Sequence, residues 1–403
     1  MTRADEEGTR MKSTRSASVW RRARYLAASV ALATAVTGCG GGVGGSDDEK
    51  SGDTIKFGML APFSGTESAF GDYMKNGAAL AVEEINADGG IDGKDIELVT
   101  QDDGCDATTA VAAANKLVSQ GVVASVGGYC SGATLPTLPI FLQAEVPMVI
   151  PAANSNALVE ADQENVFLIN GTGTQQAAAA VAFAKKEGAS KIAVIDDSTD
   201  YSVDLADSFV DQAKSAGLDV VLDATMTPKE KDYSAEANKL VKSGADFVYW
   251  TGYYQEGGLL NRQSKDAGYK GAFLAGDGSV DASFAEISGK DYTDNVYATF
   301  TQTPDMLEGA EDWIADYKKK FGDEPGPYST QSYDAVRVMA EAIKNADSTE
   351  MKDVDAALRD LDGFPAFSGP ITFTDEGTLA EGGFAIVTIG DDGSFVLHDD
   401  LQG

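Results

Sequence analysis

From Thr54 onward, short apolar runs rich in β-branched residues alternate with longer stretches in which apolar residues return every three or four positions. Interleaved periods of this kind predict strand–helix units laid on parallel sheets. Ile55 to Leu60 reads as a strand, after which Met74, Ala78, Ala81, Val82 and Ile85 recur along one helical face. A strand from Ile96 to Thr100 follows, then a helix bounded by Asp106, whose side chain suits an N-cap, and Gly121. Val122 to Val126 and Val146 to Ile150 supply two further strands.

The rhythm resumes after residue 170. Strands are expected at Ile192 to Ile195, Val220 to Ala224, Phe247 to Trp250 and Ala272 to Ala275. Helical patterns run over Gln175 to Glu187, Val203 to Ala216, Ser234 to Ser243 and Glu256 to Ala267, so a second sheet repeats the design of the first. The last hundred residues depart from it. They read as a strand at Val296 to Phe300, helices at Glu308 to Phe321 and Tyr328 to Ala346, and a hairpin-like pair around Phe384 to Val396. Such a tail must pack on something already built, and the pattern alone does not say on which half.

The chain before Thr54 is different in kind. Lys12, Arg15, Arg21, Arg22 and Arg24 precede an uncharged Ala-rich run from Leu26 to Val36, too short to span a bilayer, which ends in Val36-Thr37-Gly38-Cys39. The ending resembles a bacterial lipobox, with residues 1–38 as a cleaved signal and Cys39 carrying a diacylglyceryl anchor; the plain alternative is a leftover thiol. Met11 is a better start for such a signal than a segment holding Asp5, Glu6 and Glu7, and adjacent Arg21 and Arg22 faintly favour twin-arginine export. Residues 39–53, rich in Gly, Ser and acidic side chains, offer almost nothing to bury and read as a flexible tether.

Length and charge narrow the field. At 403 residues, two domains are the expectation, and 31 Lys+Arg against 64 Asp+Glu give a formal charge of −33. Residues 1–38 hold seven of those bases and three of those acids, so the processed chain would carry −37. A surface this acidic repels phosphate backbones, which excludes nucleic acid as a partner. Cys105 and Cys130 lie in the exported part, where oxidation is permitted; a bond would close a loop of about 26 residues and contribute roughly 3 kcal/mol. A metal pair is the rival, and it finds a single histidine, His398, to help it.

That scarcity of histidine also disfavours enzymes. An activated serine or cysteine wants a neighbouring base, and His398, near the chain end beside two aspartates, reads as a surface residue. Neither a phosphate loop of the Gly-x-x-x-x-Gly-Lys-Ser/Thr type nor a Gly-x-Gly-x-x-Gly turn after the first strand is present. Asp102-Asp103, Asp196-Asp197 and Asp391-Asp392 would suit calcium or paired catalytic carboxylates, yet among 64 acids they read first as solvated loop ends. No catalytic residue, cofactor or metal is expected.

Several stretches are similar to the leucine/isoleucine/valine-binding proteins of the type 1 periplasmic binding protein family. They are Ser64-Gly65 with Phe70-Gly71-Asp72 and Asn76-Gly77-Ala78, Ile85-Asn86-Ala87 with Gly89-Gly90-Ile91, and Asp102-Asp103-Gly104-Cys105-Asp106 running to Ala114-Asn115-Lys116-Leu117-Val118. Cys130-Ser131, Phe247-Val248-Tyr249 with Gly252-Tyr253-Tyr254, and Ser368-Gly369-Pro370 with Asp375-Glu376-Gly377 complete the set over nearly all the processed chain. The resemblance implies two Rossmann-like α/β lobes joined by a three-segment hinge, the N-terminal lobe from 54–172 and 301–384, the C-terminal lobe from 173–300 and 385–403. It also implies pairing of Cys105 with Cys130.

Carried over by position, Ser131, the backbone of Ala152 and the side chain of Asn154 would receive a ligand α-carboxylate. Asp277 would meet the α-ammonium from the other lobe, with Tyr201 and Tyr253 beside it and Phe70 against the ligand side chain. From the residues alone, each has an ordinary alternative: Ser131 and Asn154 as helix caps, Asp277 as a turn residue before Gly278, the tyrosines as half-buried packing, and Phe70 as core. Asn154 stands where the family usually has threonine, Asp277 where it often has glutamate, and Phe70 where it often has tryptophan. The resemblance implies a monomeric binding component of an ABC importer, held outside the cell membrane by Cys39, that hands a branched-chain amino acid to a permease with cytosolic ATPases. Another amino acid, an amide or urea as ligand, or a sensing role, is the alternative.

Overall fold

In a computed structural model of the chain, the described residues are 54–399 except 161, 162, 302, 308 and 368. The expected signal, Cys39, the tether and residues 400–403 lie outside them. Among the described residues no helix is long and apolar enough to cross a membrane.

The first sheet contains β1 (Ile55–Ala61), β2 (Ile96–Asp102), β3 (Ala124–Ser125), β4 (Met148–Ile150) and β5 (Val166–Leu168), all parallel, in the order β2-β1-β3-β4-β5. In the second sheet β6 (Lys191–Asp196), β7 (Asp219–Thr225), β8 (Phe247–Trp250), β9 (Ala272–Ala275) and β10 (Val296–Phe300) repeat that order as β7-β6-β8-β9-β10. Further on, β11 (Phe364–Ala366) and β12 (Gly369–Ile371) make a separate hairpin. Then β13 (Ala385–Ile389) and β14 (Phe395–Asp399) extend the second sheet antiparallel beyond β10. Every residue of β8 is buried, as a central strand covered by helices on both faces requires.

The two halves are thus α/β lobes of one design, and the chain passes between them three times: after Leu168, after Phe300 and before Ala385. The tail divides accordingly. Helix Ser329–Ala346 is buried on most of its surface and packs along helix Ser68–Ala87 of the first lobe, whereas β13 and β14 join the second. The two helices approach so closely that a Cβ on Gly77 would lie 1.9 Å from the backbone oxygen of Ser329.

Several elements differ from the sequence expectation. The helix expected from Glu308 begins at Glu311, because Gly309 has φ +80° and a turn over Pro304–Met306 precedes it. β3 is shorter than expected, and β5 has only three residues, too few to display alternation. Three of the paired acids expected to be solvated are buried instead: Asp103, Asp196 and Asp197. Each carboxylate ties its own loop, Asp103 accepting from Cys105 N, Asp196 from Ser198 N and Thr225 Oγ1, and Asp197 from Thr199 N and Oγ1. His398 lies exposed on β14 against the rings of Phe183 and Tyr297.

Cys105 and Cys130 are joined by a disulfide with Cα atoms 5.4 Å apart. It connects the loop after β2 to the residue preceding Ser131. Replacing both cysteines by serine is expected to lower unfolding free energy by about 3 kcal/mol on loop-closure grounds, measured by urea denaturation of both proteins without reductant.

Candidate ligand site

In both sheets the strand order reverses between the first and third strands of the set, and the loops leaving the carboxyl ends there border a crevice where open α/β sheets receive ligands. From the first lobe come Tyr129 after β3, and Ala152 and Asn154 after β4; from the second come Tyr201 after β6, Tyr253 after β8, and Asp277 and Gly278 after β9. With Tyr328, which precedes helix Ser329–Ala346, these residues line a cavity about the size of one water molecule.

Asp277 is the centre of this arrangement, and it is 2% exposed. Its Oδ1 accepts from Tyr201 Oη at 2.6 Å and Gln176 Nε2 at 2.9 Å. Its Oδ2 accepts from Tyr328 Oη at 2.6 Å, Asn154 Nδ2 at 3.2 Å and Asn170 Nδ2 at 3.4 Å. Burial raises its pKa above the ordinary aspartate value, while the hydrogen bonds from Tyr201, Tyr328, Gln176 and Asn170 pull the other way. Burial also raises the phenols of Tyr129, Tyr201, Tyr253 and Tyr328 well above their usual value, so they stay neutral. No cationic side chain is among the eight that line the cavity. A buried carboxylate surrounded only by neutral groups is stabilised by any positive charge that comes beside it.

Local structure explains how these side chains meet. A Cβ on Gly276 would sit 2.4 Å from Tyr201 Oη, and one on Gly278 about 3 Å from Tyr253, so glycine on both sides of Asp277 admits the tyrosines. Tyr328 has φ +63°, a left-handed conformation costly for a bulky residue, and this swings its ring inward onto Phe300 and Tyr129. On the first-lobe side, Asn170 Nδ2 donates to the Ala152 carbonyl at 2.7 Å and fixes the loop after β4. Asn154 spans the crevice, its Nδ2 reaching Gln176 Oε1 at 2.9 Å as well as Asp277.

Of the residues singled out from sequence, Ala152, Asn154, Tyr201, Tyr253 and Asp277 line the cavity. Ser131 and Phe70 lie just behind it. Ser131 opens the short helix Ser131–Thr134, and its Oγ accepts from Ser155 N at 3.3 Å. Phe70 is fully buried and stacks on Tyr129 with ring centres 4.6 Å apart. Sequence reading missed Tyr129, Asn170, Gln176, Gly278 and Tyr328. Gln176 carried a signal: it falls on the same helical face as Ala180 and Phe183, a polar residue on the side that packs inward. Roomier grooves lie elsewhere, such as the open one at the amino ends of the second-sheet strands, whose charged residues Glu187, Asp246 and Lys270 are all exposed.

The architecture recurs in solved structures. A leucine-binding protein from Thermotoga maritima superposes with a TM-score of 0.80 at 28% identity, covering 86% of this chain and 99% of that one. The branched-chain amino acid transporter substrate-binding protein of Streptococcus pneumoniae, solved with isoleucine, gives a TM-score of 0.76 at 27% identity over 86% and 100%. In sequence, a leucine-, isoleucine-, valine-, threonine- and alanine-binding protein of Pseudomonas aeruginosa is 32% identical over 83% of this chain and 89% of its own length. A Leu/Ile/Val-binding protein homologue of Brucella melitensis is 35% identical over 85% and 93%. The periplasmic binding protein profile matches residues 54–394, and with relatives this similar along nearly their whole length the chain belongs to the periplasmic binding protein family, whose members bind substrates for ABC transporters and are not enzymes.

Proposed function

We propose that this chain captures an amino acid, a branched-chain one first of all, between its lobes and delivers it to an ABC permease. The observation that carries the reading is Asp277, a carboxylate enclosed by neutral donors with no cationic side chain lining its cavity. An α-ammonium supplies the missing charge. Ser131, the Ala152 backbone and Asn154 take the α-carboxylate, while Tyr129 and Tyr253, backed by Phe70, give an aliphatic side chain apolar surface.

Because the two ends of the ligand are held by different lobes, the ligand stabilises the closed arrangement preferentially, and hinge bending couples binding to recognition by the permease. The three crossings between lobes form the hinge, with lobe boundaries at 172/173, 300/301 and 384/385. Cys39 holds a lipid and residues 39–53 tether the monomeric body outside the membrane, where the permease pair and its cytosolic ATPases are the partners. The relatives named for leucine, isoleucine and valine support the choice of ligand.

The test is thermal unfolding of the processed protein with and without L-leucine, L-isoleucine and L-valine. At a concentration 100 times the Kd, mass action adds about 2.7 kcal/mol and raises the midpoint by several degrees. An unchanged midpoint with all three at millimolar concentration removes the branched-chain assignment.

A further inference from the structure

Glu67 immediately precedes helix Ser68–Ala87, and its side chain makes no cap hydrogen bond. Its side chain is 5% exposed, and Oε2 is buried with no hydrogen-bond partner. The corner that carries it is fastened to the opposite lobe, since Tyr254 Oη donates to Thr66 O at 2.6 Å and Gln255 Nε2 to the same oxygen at 3.1 Å. Three buried second-lobe acids face it: Glu256 from helix Tyr254–Asp266, Asp281 from the turn before helix Ala282–Ser288, and Asp197 from the loop after β6. Tyr129 on its own lobe, and Tyr253 and Tyr254 across the gap, also lie within its electrostatic reach. Among the described residues none of the four acids pairs with a lysine or arginine. The hydrogen-bond partners of the other three are neutral groups of the second lobe: Lys229 N for Glu256, Ser283 N for Asp281, and Tyr253 N with the Thr199 groups for Asp197.

We propose that closing the lobes takes up a proton on Glu67, so that ligand capture weakens as the medium becomes more alkaline. This rests on the reading of the chain as a two-lobed amino-acid binder. An ionised oxygen left bare between two lobes costs far more than a neutral one, and like charges across the seam add to the cost. Burial pushes Glu67 up to about 8; a hydrogen bond from Thr66 opposes this, and Glu256, Asp281 and Asp197 reinforce it. Parting the lobes returns the group to water and to its ordinary range. The closed form therefore holds the extra proton. Its advantage is complete below the ordinary glutamate range and is lost progressively as pH rises towards about 8.

Calorimetric titration of the processed protein with L-leucine tests this. Between pH 6 and 8 the wild-type Kd is expected to rise by about tenfold or more, and that of Glu67→Gln by less than about threefold. At pH 7, titrations in two buffers of different ionisation enthalpy should report uptake of about one proton per leucine for wild type and close to none for the variant. A wild-type Kd that is flat with pH, or an equal slope in both proteins, overturns the proposal. Should leucine bind at no pH, the branched-chain reading falls instead, and urea unfolding decides the fate of Glu67. Glu67→Gln should then gain stability on wild type as pH rises from 5 to 8, and a difference independent of pH overturns the proton assignment.

Discussion

Asp277→Ala lowers leucine affinity by about 100-fold. Removing one member of a buried charge pair leaves the other uncompensated, at a cost of about 3 to 5 kcal/mol, which is two decades or more in Kd. Tyr201, Tyr328, Gln176, Asn154 and Asn170 also lose the acceptor they share, so the crevice of the variant keeps their donors but no carboxylate to meet an ammonium. Calorimetry on purified wild type and variant reads the effect directly. A Kd within threefold of wild type takes Asp277 out of the ligand site, and with it the observation on which the proposed function stands.

Gly77→Ala destabilises the first lobe by about 3 kcal/mol, the upper end of what overpacking ordinarily costs. The added methyl group meets the Ser329 oxygen at 1.9 Å and the Ser329 carbonyl carbon at 2.8 Å, and both belong to backbone that cannot rotate away. Relief requires the two helices to separate along their whole contact. Gly383→Ala serves as the control, since a Cβ there meets nothing within 4 Å and no left-handed backbone is involved. Urea unfolding should place the control within about 0.5 kcal/mol of wild type; equal midpoints for both variants would mean the helices are not packed as described.

Strand positions were legible because each buried strand is a compact apolar run. Phe247–Trp250 and Ala272–Ala275 agree with the structure residue for residue. The lining of the cavity was legible, through the family resemblance, at Ala152, Asn154, Tyr201, Tyr253 and Asp277, which follow the carboxyl ends of such strands. Tyr328 was not, because its role depends on a left-handed backbone and on a hydrogen bond to a residue 51 positions away. Nothing local marks either. The buried aspartates were misjudged for a related reason: composition makes an acid look solvated, whereas Asp103, Asp196 and Asp197 are kept inside by backbone N–H groups that only the folded loops present.

The triple passage of the chain between lobes bears on how the molecule is made. Helix Ser68–Ala87 is covered by helix Ser329–Ala346, and Tyr333 donates to Glu84 across a separation of 249 residues. A ribosome that has produced the early strands has therefore not yet produced the layer that seals them, and contacts this distant in sequence are slow to form. The half begun first is the half completed late, so its apolar face stays uncovered until most of the polypeptide has been made.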